Sequence, residues 1–420
     1  MLDVNFIREN PGKVKKGIGA KGFSSDLVNT VLELDEKRRA MIQKLEAERA
    51  EKNIISDEVA KKKTDELIER GKIVRTEIRG FGADLKSIET GLQRALYEIP
   101  NLPLDMVPVG KGEEENKEIR KWGEPRKFDF KPKDHLELGK SLGILDFETG
   151  TKVAGNKFYF LYGDGARLEL ALVQYVFDLL SKEGFLPVIT PDLAKSRYYL
   201  GTGYAPKGNE AQTYTIEGED LGLIATAEVT LAGSHADEVI PESKLPLKYI
   251  GYSHCFRQEA GAYGKYSKGL YRVHQFTKAE MFIYCKPEES DKFHEYILKM
   301  EEEIYQELDL PYRVVEMCTG DLGAMAARKF DIEVWMPGRG DYGEVTSTSN
   351  CTDYQARNLN IKFRRNTGET EYVHMLNGTA IVMSRIPLAI IENYQQKDGS
   401  VVIPSVLRKW MGKEKIEPKK

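Results

Sequence analysis

From residue 24 to residue 98 the chain carries one apolar stripe on a charged background. Apolar side chains recur at Leu27, Val31, Leu34, Met41, Leu45, Ile55 and Val59, close to a seven-residue repeat that Arg38, Glu48 and Lys52 interrupt. Beyond Gly71 the stripe is cleaner, at Ile78, Phe81, Leu85, Ile88, Leu92 and Leu96. Spacings of three and four put these side chains on one helical face. The pattern predicts two long helices packed as an antiparallel coiled-coil hairpin, turning near Arg70 and Gly71. Gly80, Gly82 and Gly91 weaken the second helix by roughly 1 kcal/mol each relative to alanine. About 35 residues per helix give an arm on the order of 50 Å long. Such an arm buries only a thin seam, so it is a means of reaching rather than a core. Before it, residues 1–22 read as a short helix and a loop, with Pro11 near a helix start. After it, Pro100 and Pro103 end the second helix, and the polar, turn-rich stretch that follows reads as a linker.

The remainder alternates between helical and strand patterns. Residues 168–182 form an amphipathic helix, and residues 184–191 turn into a short strand that ends at Pro191. Gly201, Gly203, Pro206 and Lys207 mark a loop. Thr226 and Glu228, two apart, fit either a strand whose hydroxyl and carboxylate face one ammonium, or a helix start capped by Thr226. Residues 255–281 read as two strands around a glycine-rich basic loop containing Gly261, Gly264, Lys265, Lys268 and Gly269. Alternation along the strands puts Arg257 and Glu259 on one face, and Arg272, His274, Phe276, Lys278 and Glu280 on one face of the return strand. An acidic helix at 287–308, strands at 312–317 and 331–336, a Thr/Ser-rich segment at 343–357 and a strand entering an apolar helix at 375–395 complete the chain.

Composition narrows the class. The chain has 420 residues, 41% hydrophobic and 30% charged, enough for more than one soluble domain. No apolar run of about 18 residues exists to span a membrane. The first residues lack the pattern of a secretory or transit peptide. Cys255, Cys285, Cys318 and Cys351 are widely spaced, which argues against disulfides and structural zinc and for a reducing, cytoplasmic setting. The net charge of −4 does not advertise a nucleic-acid binder, so RNA contact must use local patches such as Lys37-Arg38-Arg39 and Lys61-Lys62-Lys63. DNA has no place in this reading.

The chemistry-bearing residues suit a nucleotide beside a small amino compound. Arginine supplies bidentate donors for phosphate, Phe276 a ring for a purine, and Glu344 followed by Thr346 and Ser347 hard oxygen ligands for Mg²⁺. Arg385 at a helix N-terminus is an anion site.

FRQEAG, a basic loop and GLYRVHQFTKAE together resemble motif 2 of the class II aminoacyl-tRNA synthetases, in the form found in the seryl-tRNA synthetases. The helix–strand–Pro191 segment resembles motif 1, and the strand and helix around Arg385 resemble motif 3. The resemblance extends to the arm and linker and so covers nearly the whole chain. It implies an α+β fold: an antiparallel sheet flanked by helices, preceded by the helical arm. The implied organisation is an arm over 1–110, a linker over 111–135 and a catalytic domain over 136–420. It implies ATP, Mg²⁺ and L-serine as reactants, and a homodimer. The arm would bind tRNA(Ser), with tRNA(Sec) where present, by the long variable arm.

The implied catalytic residues are Arg257, Glu259 and Arg385. ATP would meet Arg257, Gln258, Glu259, Val273, Phe276, Glu344, Val345, Thr346, Ser347 and Arg385, with Glu344 and Ser347 holding the metal. Serine would meet Thr226, Ala227, Glu228, Arg257, Glu280, Asn377 and Thr379. The chain departs from the commoner motif 3, which has glycines where Ala380 and Ser384 stand, and this bears on close backbone approach to ATP. Two other readings stay open: a ligase of the same fold that adenylates serine or glycine for a carrier protein, and a non-catalytic scaffold. The arm speaks against the first, and intact Arg257, Glu259, Glu280, Glu344 and Arg385 against the second.

Overall fold

The structure is a computed structural model that describes residues 1–204, 213–259 and 266–419. The chain divides into two compact units, Met1–Leu102 and Pro103–Lys420.

The first unit is helical. Helices α1 (Val4–Glu9) and α2 (Pro11–Ala20) precede the hairpin of α3 (Asp26–Lys61) and α4 (Asp65–Glu98). Residues 1–22 therefore hold two helices, where one helix and a loop were expected. Pro11 takes the first position of α2, where its missing N–H costs nothing. Val28, Val31, Leu45 and Ile55 of α3 and Val74, Leu92 and Leu96 of α4 are buried along the seam. Arg38–Glu89 at 3.3 Å and Arg70–Glu51 at 2.7 Å tie the two helices in antiparallel order. Asp35 breaks the apolar rule: it is 1% exposed and pairs with Arg8 of α1 at 2.8 Å and Arg39 at 3.1 Å.

The hairpin turns at residues 62–64, not at Arg70 and Gly71. Thr64 supplies the reason: its hydroxyl accepts from Leu67 N at 3.3 Å, and Asp65 and Glu66 fill the first turn, where acids favour the helix dipole. Gly71 lies inside α4, and a Cβ there would stand 3.5 Å from Ile55 Cγ2, an ordinary contact in the seam.

The second unit is built on a nine-stranded sheet. In spatial order its strands are Lys117–Trp122, Tyr312–Glu316, Arg328–Met336, Thr348–Asn350, His374–Val382, Gln275–Cys285, Leu247–Phe256 and Leu186–Ile189, with Asp341–Glu344 also pairing Arg328–Met336. Every pairing is antiparallel except that of Leu186–Ile189 with Leu247–Phe256. This is the expected antiparallel-rich α+β architecture. Helix Ser290–Glu307 covers one face, burying Phe293, Ile297, Leu298 and Ile304. The apolar helix Asp164–Lys182 packs into the same core through Leu168, Leu172, Val176 and Leu180. Lys117–Trp122 lies within the stretch expected to be a linker, yet it pairs residue by residue with Tyr312–Glu316. Its polar composition suits an exposed sheet edge, and an edge strand needs no apolar alternation. The unit boundary at Leu102 likewise falls ahead of residue 110. Thr348–Asn350 is the converse case: a Thr/Ser-rich strand that suits an edge lies fully buried between two others.

The placement of Gly71 is open to test. Gly71→Ala should stabilise the arm by about 0.5–1 kcal/mol, because alanine lowers the cost of helix formation without a clash. Native-state amide exchange of α3 and α4 would read this directly. Loss of protection would put a turn at residue 71.

Candidate active site

A cavity of about 560 Å³ opens on the sheet where the strands Gln275–Cys285, Asp341–Glu344 and His374–Val382 carry polar side chains to one face. Its lining includes Glu228, Arg257, Glu259, Val273, Phe276, Glu280, Glu344, Val345, Thr346, Ser347, Asn377, Thr379 and Arg385. Three of the expected site residues do not line it. Thr226 and Ala227 are wholly buried behind it, and Gln258 is turned outward, its amide donating to Thr213 O at 3.0 Å. Val382 and Ser384 border the cavity, whereas Ala380 does not; Ala380 sits in the bulge where the register shifts between Thr379 and Ile381. Of the two departures in motif 3, only Ser384 faces the site.

One end gathers cations. The strand Leu247–Phe256 stops at Phe256, so Arg257 and Glu259 are not strand residues as expected. They reach the same cavity because the chain bends: Arg257 N donates to His274 O at 2.9 Å, and Glu259 adopts φ 53°, a left-handed conformation uncommon for a residue with a Cβ. The return strand begins at Gln275, so alternation does not reach Arg272 and His274. Arg272 lines the cavity and bonds Glu259 Oε2, while His274 turns away, its Nδ1 donating to Arg257 O at 2.8 Å. The Arg257 guanidinium lies 5.2 Å from the centre of the Phe276 ring, and Arg385 lies 4.5 Å from that of Tyr271. Arg385 also donates to Glu344 O at 2.7 Å and Tyr271 O at 3.1 Å. Burial would raise the Glu344 carboxyl, but Arg385, Lys329, Arg257 and Arg272 around it hold it below its usual range. Of the glycine-rich basic loop, residues up to 265 lie outside the described residues, as do Pro206 and Lys207. Of its flanks, Lys268 pairs with Asp134 at 2.5 Å.

The other end gathers carboxylates. Helix Glu228–Gly233 starts here, and Thr226 Oγ1 accepts from Glu228 N at 3.2 Å. Thr226, one residue before the N-cap Ala227, thus accepts from the first helical N–H while Glu228, in the first turn, faces the site. Glu228 accepts from Tyr204 Oη at 2.8 Å, Gln355 Nε2 at 2.7 Å and Asn377 Nδ2 at 3.1 Å. The same Asn377 nitrogen donates to Glu280 Oε1 at 3.1 Å, and Thr379 Oγ1 donates to Glu280 Oε2 at 3.3 Å. Burial first, and then Glu280, push Glu228 up to about 7; Gln355, Tyr204 and Lys278 oppose this. Gly201, expected in a loop, lies in the last turn of helix Ser196–Thr202, and Gly203 is its C-cap.

Beneath both ends sits Glu301, a residue that an acidic surface helix did not single out. It is fully buried, and burial pushes its carboxyl well above the usual range. Thr346 Oγ1 donates to Glu301 Oε2 at 3.0 Å and accepts from Ile332 N at 3.1 Å. From the same helix, His294 donates through Nε2 to Thr348 O at 3.1 Å; burial holds it at about 4, so it is neutral at pH 7. These contacts fix the 344–348 backbone from behind. Tyr204, Lys329 and Gln355 are further lining or supporting residues that the sequence did not single out. Tyr204 and Gln355 carry no local signal, because their roles arise only when distant segments meet.

Oxygen donors suited to a hard cation stand at the cationic end. The Glu344 carboxyl is held below its usual range, Ser347 lines the cavity, and Asp331 keeps a buried Oδ1 without a partner. Among the described residues no cluster of three or more metal-binding side chains exists, so phosphate oxygens would have to complete such a shell.

The comparisons agree with this geometry. Residues 213–394 match the tRNA synthetase class II core domain (G, H, P, S and T), and residues 1–103 match the seryl-tRNA synthetase N-terminal domain. Fold and site thus define a class II aminoacyl-tRNA synthetase. A serine--tRNA ligase of Dictyoglomus thermophilum is 54% identical over 100% of both chains. A crystal structure of seryl-tRNA synthetase from Pyrococcus horikoshii complexed with ATP superposes with TM-score 0.93 at 42% identity, covering 100% of both chains. A cytoplasmic serine-tRNA ligase from Naegleria fowleri in complex with AMP gives TM-score 0.88 at 37% identity over 100% of this chain and 99% of that one. The chain belongs to the seryl-tRNA synthetases, enzymes that ligate serine to tRNA.

Packing behind the site carries its own prediction. A Cβ at Gly378 would lie 2.3 Å from Ile297 Cγ2 and 2.8 Å from Glu301 Oε1. Gly378→Ala should therefore destabilise the second unit by about 1–3 kcal/mol, measured by urea unfolding. An unchanged midpoint would mean that the helix Ser290–Glu307 is not held tightly against the sheet.

Proposed function

We propose that the cationic end of the cavity binds ATP, that the acidic end binds L-serine, and that the two meet at Arg257. The carrying observation is the segregation of charge within one cavity: arginines around Glu344 at one end, and Glu228 with Glu280 at the other. The carboxylate of serine attacks the α-phosphorus of ATP, forming a P–O bond as the bond to pyrophosphate breaks. Arg257 is placed to bridge that phosphate and the attacking carboxylate, bringing two anions together. Arg385 takes the γ-phosphate, Phe276 stacks on adenine, and Glu259 orients Arg272 while accepting from the nucleotide. Gln258 and Val273 offer backbone contacts to ATP, as do Val345 and Thr346.

Glu344 and Ser347 would hold Mg²⁺, which when bound neutralises phosphate charge. Glu228 receives the serine ammonium, and Glu280, Asn377 and Thr379 receive its hydroxyl. Thr226 and Ala227 shape the backbone that carries Glu228. The terminal ribose hydroxyl of the tRNA then attacks the acyl carbon, and AMP leaves. No side chain forms a covalent intermediate.

The arm is the tRNA-binding element in this proposal, engaging tRNA(Ser) and, where present, tRNA(Sec). Its support is the match of residues 1–103 to the family's N-terminal domain. That match also separates the reading from an armless ligase for carrier proteins. We propose a homodimer built on the edge strand Leu186–Ile189, where Leu186 and Ile189 are 58% and 79% exposed and Leu170 of the preceding helix is 61% exposed. No helix among the described residues is long and apolar enough to cross a membrane, and the proposed location is the cytoplasm.

Two experiments test the assignment. Deleting residues 30–95 should preserve serine-dependent exchange of pyrophosphate into ATP and abolish tRNA charging. Charging by the deletion variant would make the arm a spacer or dimer element.

The second concerns pH. Glu228 is raised above its usual range, so it is protonated as pH falls through about 7 and loses the charge that attracts an ammonium. Tyr204, Glu280 and Lys278 are the ionisable groups facing it, with Gln355 and Asn377 as neutral donors. Serine affinity, measured by calorimetry without ATP, should fall about eightfold between pH 7.5 and pH 6. A flat profile would remove Glu228 from the ammonium site.

A further inference from the structure

Lys278 has no part in the scheme above, yet it lies in the middle of the cavity floor. Along the return strand Gln275–Cys285, alternate side chains share a face. That face presents Phe276, Lys278 and Glu280 to the cavity in that order. The Lys278 side chain is only 8% exposed. Lysine is rarely so buried, because an ammonium removed from water needs a paired anion to offset the lost hydration.

The lysine has its anion in Glu280. Its Nζ lies 2.5 Å from Glu280 Oε2. Glu228 stands beside Glu280, since one nitrogen of Asn377 donates to both. Its polar contacts, however, are neutral donors from Tyr204, Gln355 and Asn377. One cation bonded to one of two neighbouring carboxylates makes them chemically unequal.

We propose that Lys278 is a specificity-determining positioning residue: it pins Glu280 as the acceptor for the serine hydroxyl and leaves Glu228 for the serine ammonium. The inference rests on the assignment of this end of the cavity to serine. Lys278, Thr379 and Asn377 together hold the Glu280 carboxylate from three directions. So fixed, Glu280 cannot swing to follow an ammonium, and an amino acid without a hydroxyl leaves it short of a partner. An unfilled buried acceptor is a stronger basis for rejection than a missing methyl-sized volume.

Lys278→Met keeps the length of the side chain and removes its charge. In the full chain, this variant should raise the KM for serine about tenfold and lower the preference for serine over alanine about tenfold, with the KM for ATP unchanged within about twofold. Calorimetric binding of serine without ATP should weaken in parallel. If Lys278 acts through Glu280, Lys278→Met combined with Glu280→Gln should discriminate no worse than Glu280→Gln alone. Lys278→Arg, which keeps the charge, should retain most of the preference, and it remains informative if the methionine variant does not fold. A raised KM for ATP or a loss of kcat at unchanged serine KM would overturn the proposal, placing Lys278 on the phosphate instead. Additive effects in the double variant would also overturn it. Absence of serine-dependent exchange in the unaltered chain would defeat the assignment of the pocket itself, a result distinct from any of these.

Discussion

Charge crowding within one cavity is the constraint on which the rest of the second unit depends. Arg257, Arg272, Arg385 and Lys329 converge on Glu344, and a few residues away Glu228 and Glu280 share a hydrogen-bond donor. Brought together without partners, such groups would repel and would leave the protein for water. Each is instead held in place: Arg272 by Glu259, Arg385 by the 344 backbone and Tyr271, Glu280 by Lys278. The side chains are therefore oriented before any substrate arrives. That is the form of electrostatic stabilisation that costs no reorganisation when the reaction occurs.

The sheet is what makes this possible. Its antiparallel ladders place residues from widely separated segments in register, for example Thr379 opposite Glu280 and Thr348 opposite Gly378. Behind it, buried polar groups on one helix do the positioning: Glu301 through Thr346, and His294 through the backbone of Thr348. An apolar helix could pack there equally well, but it could not grip the polar backbone of the 344–348 segment.

Most elements of the fold were legible because they follow from period alone. The arm, the strand pairs and the apolar helix after Arg385 announce themselves by spacing. The exceptions have physical causes. The hairpin turn was misplaced because Gly71 resembles a breaker, whereas the cap at Thr64 decides the matter. Lys117–Trp122 resembled a linker because an exposed edge strand carries no alternation. Thr226 and Glu228 pose a choice between helix start and site that the structure does not make, since the Thr226 hydroxyl accepts from the first helical N–H and Glu228 faces the cavity. Strand alternation explained Phe276, Lys278 and Glu280 but failed at Arg257, Glu259 and His274, where the chain bends out of the ladder. Tyr204, Gln355 and Glu301 were invisible because nothing in their own neighbourhood distinguishes them from ordinary surface or core residues.

Separate cationic and acidic ends, facing each other across Arg257, amount to a claim about which two molecules the cavity joins. The most direct measurement is exchange of labelled pyrophosphate into ATP with Mg²⁺, without tRNA, run with each of the twenty amino acids. The account predicts exchange with serine and with no other amino acid at comparable efficiency. Exchange with a different amino acid, or with none, would contradict it.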